Sequence, residues 1–130
     1  MNTVAVIDYG MGNLRSVAQA VLSAAQHHGA QALITCDPDQ VRRADRLVLP
    51  GQGAMPDCMR ELQHSGLLQA LAEAAHQKPL FGVCVGMQML LEQSAESADG
   101  GPTPCLGWIG GDVVKFNLQV RRSEEHTSEL

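Results

Sequence analysis

The residues with the clearest capacity for chemistry are Gly82-Val83-Cys84-Val85-Gly86. A thiolate is a strong nucleophile toward a carbonyl carbon. The pattern Gly-x-Cys-x-Gly is the cysteine form of the nucleophile elbow, in which the attacking residue sits on a sharp turn between a strand and a helix. Such a turn needs small neighbours, because its backbone is strained and the helix packs close to the strand. Gly82 and Gly86 meet that need. Free amides at a helix start favour negative charge on a sulfur placed there and can also hold an oxyanion. The expected donors are the Val85 N–H and one from the turn Pro50-Gly51-Gln52-Gly53, where missing side chains let backbone approach a substrate. The opposing reading makes Cys84 an inert thiol buried in a tight turn.

The other candidates carry less. Cys36, Cys58 and Cys105 form no Cys-x-x-Cys pair and have no His at metal-ligand spacing, so they read as free thiols packed as small apolar residues. No metal site is expected. His27, His28, His64 and His76 fall near helix ends on polar faces and read as solvated or capping residues, not as a base for the thiol. Gly10-Met11-Gly12 could open a dinucleotide loop, but Arg15 stands where the third glycine should be.

The elements that must position the elbow follow from periodicity. Thr3 to Ile7 is a short β-branched run ending in Asp8, as a buried parallel strand would be. Asn13 is placed to cap a helix on which Leu14, Val17, Ala18, Val21, Leu22 and Ala25 share a face, stopped by Gly29. Ala32 to Thr35 predicts a second strand, Asp37-Pro38 a short helix to about Ala44, and Arg46 to Leu49 a third strand. Helices are predicted over Met55 to His64 and Leu67 to His76, then a strand over Pro79 to Val83, a helix from Met87 to about Gln93, and a last strand over Asp112 to Phe116. The alternation specifies an α/β fold, a doubly wound and mostly parallel sheet with helices on both faces. Ligands of such sheets sit beyond the carboxyl ends of the strands, so the loops after Ile7, Leu49 and Val83 are the informative ones.

Composition narrows the partners. With a net charge of −5, no basic cluster beyond the pairs Arg42-Arg43 and Arg121-Arg122, and 3% aromatic residues, the chain has neither the electrostatic footprint nor the stacking platforms of a nucleic-acid binder. Met1-Asn2-Thr3-Val4 leads directly into a strand, and no long apolar run follows, so neither a signal peptide nor a membrane span is indicated and a cytoplasmic location is expected.

Gly82-Val83-Cys84-Val85-Gly86-Met87-Gln88 resembles the nucleophile segment of the class I glutamine amidotransferases, Gly-x-Cys-x-Gly-x-Gln. Within them, Asp8-Tyr9-Gly10-Met11-Gly12-Asn13-Leu14 and Leu49-Pro50-Gly51-Gln52-Gly53-Ala54 are similar to the opening loop and the oxyanion strand of the glutaminase subunits of imidazole glycerol phosphate synthases. Asp37-Pro38, Leu106-Gly107-Trp108 and Gly111-Asp112-Val113-Val114 extend the resemblance over essentially all of Met1 to Phe116. It implies a flavodoxin-like glutaminase fold, Cys84 as the nucleophile forming a glutamyl thioester, Val85 and Gly51 around the oxyanion, and Gln88 and Gly53 lining the glutamine pocket. It also implies a heterodimer in which ammonia passes to a cyclase partner that makes imidazole glycerol phosphate and an aminoimidazole carboxamide ribotide, with no cofactor or metal. Gln52 and Val85 stand where Val and Leu are usual, but the groups at issue there are backbone.

The family draws its base and orienting acid from a late His-Pro-Glu segment, and this sequence contains none. The last residues, Arg-Ser-Glu-Glu-His-Thr-Ser-Glu-Leu, are polar and aperiodic. Codons that would encode them resemble a sequencing-library adapter, so residues 122–130 are expected to be a non-native tail and His126 is given no role. Residues 1–121 then form the N-terminal part of a class I glutaminase domain, incomplete at the C-terminus and with little or no activity. Two other readings remain: a catalytically dead fragment that still binds its partner, and a Cys-elbow hydrolase or chaperone-like protein of related fold.

Overall fold

Short aliphatic runs, too brief for helices and rich in Val, Ile and Leu, make the sheet. In the computed structural model, which describes residues 2–11 and 14–116, the strands are β1 (Thr3–Ile7), β2 (Gln31–Thr35), β3 (Arg46–Leu49) and β4 (Leu80–Gly82). They are all parallel, in the order β2-β1-β3-β4. Parallel neighbours require crossovers, supplied by α1 (Arg15–His27), α2 (Pro38–Arg43), α3 (Met55–His64) and α4 (Leu68–Ala75). The expected doubly wound α/β fold is therefore present. No helix of the described residues is long and apolar enough to cross a membrane.

Strand alternation sends side chains to two unlike faces. On one face Ala5, Ile7, Leu47 and Leu49 meet Val41 of α2, Cys58 and Leu62 of α3 and Leu71 of α4 in a closed core. The start of α2 is fixed locally: the Asp37 carboxylate accepts from the Asp39 N–H at 2.9 Å, and Pro38 takes a helical position where its missing N–H costs nothing. On the other face α1 packs over β1 and β2. Beside α1 an open apolar groove of about 760 Å³ runs between Val17 and Val21 of the helix and Val4, Phe81 and Val83 of the sheet. Phe81 is 67% exposed there.

Three expectations need correction. The helix predicted from Met87 to about Gln93 is a single turn, α5 (Val85–Gln88). Its continuation is cut off because the segment 105–109 returns over it and takes its carbonyls: Leu106 N–H donates to Met89, Gly107 to Leu91, and Trp108 and Ile109 to Leu90. The strand predicted over Asp112 to Phe116 is only β7 (Asp112–Val113), which joins β5 (Gln93–Ser94) and β6 (Thr103–Pro104) in a separate small sheet of order β6-β5-β7. The N-cap position of α1 is Leu14, with no side-chain cap. Asn13, the expected cap, lies outside the described residues, as does the 122–130 tail with His126.

The contrast between the faces predicts unequal costs of truncation. Leu71→Ala, at a fully buried site, should lower the free energy of unfolding in urea by about 2–5 kcal/mol. Phe81→Ala, on the open face, should lower it by under about 1 kcal/mol.

Candidate active site

Cys84 stands immediately beyond β4, at the carboxyl edge of the sheet, with φ 56° and ψ −123°. It is the single non-glycine residue with positive φ among those described. A conformation so rarely adopted costs on the order of 1–3 kcal/mol and persists only where surrounding bonds enforce it. They do so here. Val83 N–H donates to the Leu49 carbonyl at 3.0 Å, Gly86 N–H to Val83 at 2.9 Å and Met87 N–H to Cys84 at 3.0 Å. The outcome is an exposed thiol on a braced turn.

The glycines of the motif are demanded by contact distances. A Cβ on Gly86 would lie 2.0 Å from the Leu49 carbonyl oxygen, one on Gly82 would lie 2.6 Å from Met87 Cα, and one on Gly51 would lie 2.6 Å from the Gly86 nitrogen. The end of β3, its following turn and the elbow therefore touch backbone to backbone. Gly53 has φ +89°, which lets the turn reverse before α3 begins.

Each predicted site residue can now be placed. Cys84, Val85 and Gln88 lie on the elbow and α5, and Gly51 and Gly53 on the turn after β3. The structure brings Val85 and Gly51 into direct contact, but not as two free donors: Val85 N–H donates to the Gly51 carbonyl at 3.2 Å. One expected oxyanion donor is thus occupied by the turn expected to supply the other. A trans peptide carries its C=O and N–H on opposite edges. Turning the Gly51 carbonyl away would free Val85 N–H and bring the Gln52 N–H of the same peptide to that side.

Among the described residues the histidines do not serve the thiol. His27, His28 and His76 lie at the C-terminal ends of α1 and α4, hence at the amino edge of the sheet, with the length of a strand, roughly 13 Å for four residues, between them and the Cys84 edge. His27 Nδ1 is bonded to the Ser23 carbonyl at 3.0 Å, and His64 ends α3, exposed. Among the described residues no three His, Cys, Asp or Glu side chains converge as a metal site requires.

Two side chains at this site had no role in the sequence reading. The Tyr9 hydroxyl donates to the Pro50 carbonyl at 2.7 Å and lies 3.5 Å from Met89 Sδ. Burial pushes its phenol far above the ordinary tyrosine range, with the neighbouring Cys58 adding to the shift, so the hydroxyl keeps its proton. Cys58 Sγ donates to the Gln52 carbonyl at 3.4 Å, and burial raises its thiol as well. The available signal was that Tyr9 is the one tyrosine of a chain poor in aromatics and sits in a loop at the carboxyl edge.

The family model for glutamine amidotransferase class-I matches residues 5–129, nearly the whole chain. The chain belongs to the class I glutamine amidotransferases. Among members of that family, the imidazole glycerol phosphate synthase subunit HisH of Chromobacterium violaceum is 54% identical over 113 residues, covering 87% of this chain and 51% of that protein. The subunit HisH of Dechloromonas aromatica is 54% identical over 114 residues, 88% of this chain and 50% of that one, and that of Neisseria meningitidis serogroup B is 49% identical over 119 residues, 90% and 54%. The chain thus spans about half the length of the relatives it matches. A peptidase E protein from Listeria monocytogenes shares the fold at a TM-score of 0.62 with 16% identity, over 83% of this chain and 63% of that one.

The glycine contacts predict a sharp contrast. Gly86→Ala should cost about 3 kcal/mol or more in urea unfolding, since backbone oxygen cannot move aside as a side chain would. Gly110→Ala, which meets nothing within 4 Å, should change stability by about 0.5 kcal/mol or less.

Proposed function

We propose that this chain is the nucleophile-bearing half of a glutaminase that supplies ammonia to the cyclase subunit of an imidazole glycerol phosphate synthase. The observation that carries the reading is an exposed Cys84 on a braced elbow, facing a glycine turn, in an amidotransferase chain half-identical to proteins named as HisH subunits. In the proposed reaction Cys84 Sγ attacks the γ-carboxamide carbon of glutamine, the carbonyl oxygen is held by Val85 N–H and the turn, and nitrogen leaves as ammonia after gaining a proton. Water then cleaves the thioester to glutamate. Gln88 and Gly53 are the proposed pocket residues, and the cyclase subunit and glutamine the proposed partners. The location consistent with this role is the cytoplasm.

Proton transfer to the leaving nitrogen needs a base beside Cys84, and the histidines of the described residues stand elsewhere. The 130-residue chain is therefore proposed to have little or no glutaminase activity while keeping the thiol. Residues 1–121 are proposed as one part of the glutaminase domain, with 122–130 foreign to it. The open face beside α1 is the surface on which the rest of such a domain would pack. A second reading, a partner-binding fragment without turnover, is favoured by the same placement of the histidines.

Cys36 provides an internal control, being an exposed free thiol outside the site. A chloroketone analogue of glutamine should alkylate Cys84 about tenfold or more faster than Cys36, as read by peptide mass spectrometry. Equal labelling of both would sink the glutamine reading. In the same sample ammonia release from glutamine should stay at background, and rapid release would refute the inactivity of the chain. Capture of a cyclase subunit without ammonia release would favour the partner-binding reading.

A further inference from the structure

The turn after β3 presents three successive carbonyls, and each has its own donor. The Pro50 carbonyl is held by the Tyr9 hydroxyl at 2.7 Å, the Gly51 carbonyl by Val85 N–H at 3.2 Å, and the Gln52 carbonyl by Cys58 Sγ at 3.4 Å. The outer two anchors are side chains buried to 3% and 0% exposure, rooted in the loop after β1 and in α3. The middle one belongs to the elbow itself. Tyr9 also rests against Met89 Sδ, and Met89 N–H is bonded to the Val85 carbonyl at 2.9 Å, so one side chain touches both the turn and the helix that follows the nucleophile. A Cβ on Gly51 would come within 3.1 Å of the Tyr9 oxygen, which shows how closely the phenol is seated.

We propose that Tyr9 is a positioning residue for the oxyanion site: its hydroxyl fixes the Pro50–Gly51 peptide against the elbow, so that reorientation of the turn is confined to the Gly51–Gln52 peptide. Cys58 restrains the peptide on the far side. With both neighbours held, freeing Val85 N–H requires the movement of one peptide plane rather than the loosening of a four-residue turn. Burial keeps the phenol protonated and therefore a donor throughout the neutral range. The loop containing Tyr9 thereby has a function at the site without touching substrate. Its consequence for glutamine rests on the glutaminase reading, but its mechanical role does not.

The test is Tyr9→Phe in the intact chain, which removes the hydroxyl and keeps the ring. Amide hydrogen exchange reads the turn directly. The Val85 amide should exchange about tenfold faster, while the Leu47 amide, bonded to Pro79 at 3.0 Å, and the Leu71 amide, bonded to Leu67 at 2.9 Å, are unchanged. No change at Val85 overturns the proposal. Equal acceleration at Leu47 and Leu71 also overturns it, by making the hydroxyl a general structural support. Alkylation gives the chemical consequence: the glutamine chloroketone should react with Cys84 about tenfold more slowly in the variant, and iodoacetamide, which needs no oxyanion site, at an unchanged rate. Parallel slowing with both reagents overturns the proposal. If the wild-type chain shows no preference of the chloroketone for Cys84 over Cys36, the glutaminase reading fails, and the exchange result still decides the role of Tyr9.

Discussion

The contact on which the site depends is that of Gly86 against the carbonyl of Leu49. Two backbones approach there with no room for a methyl group, and the approach is possible because β3 and β4 are sheet neighbours whose registers place Leu49 beside Gly82. The Leu49 carbonyl also receives the Val83 N–H, so a single oxygen both ends the strand pairing and limits the elbow. The positive φ of Cys84 follows from this geometry. The chain must turn sharply to bring α5 back over the strand, and the residue at the apex takes the strain that its glycine neighbours make sterically possible.

This close packing separates what is rigid from what can move. The elbow is fixed by its own short bonds and by β3, whereas the turn opposite is held through individual donors, one per carbonyl. Hydrogen bonds between backbone groups in a sheet share their fate with the sheet, but the bond between Val85 N–H and the Gly51 carbonyl joins the first residue of α5 to a turn and is no part of the strand pairing. Such an arrangement holds the thiol on stiff backbone and leaves the opposite turn dependent on separate bonds. It is a division of labour set by topology: the strand ends are stiff, and the loops beyond them are adjustable.

Much of this was legible in the sequence because it is local. The apolar run Thr3–Ile7 and the amphipathic span Met55–His64 have the bounds that their periodicity predicts, Asp37-Pro38 announces a helix start that the structure contains, and the paired glycines around Cys84 require a turn of one kind. What was not legible depends on partners distant in the chain. The brevity of α5 results from carbonyl capture by residues 105–109, which no window centred on Met87 contains. The occupancy of Val85 N–H depends on how a turn 34 residues earlier is rotated, and the role of Tyr9 on an oxygen 41 residues away. Periodicity placed Val17, Val21 and Ala25 on the sheet-facing side of α1, but Leu22, expected on the same face, is exposed, and no local pattern says how fully the sheet beside the helix is covered.

That uncovered face has a meaning for the life of the molecule in a cell. Phe81 presents aromatic surface to water from β4, a three-residue strand that pairs with β3 alone among the described residues. Apolar surface beside an unsatisfied strand edge is what chaperones retain and what quality-control proteases take hold of. The same strand leads into the Cys84 elbow. Exposure at Phe81 therefore ties the persistence of the polypeptide to whatever covers this face: a copy left bare is open to disposal, and Cys84 is lost with it.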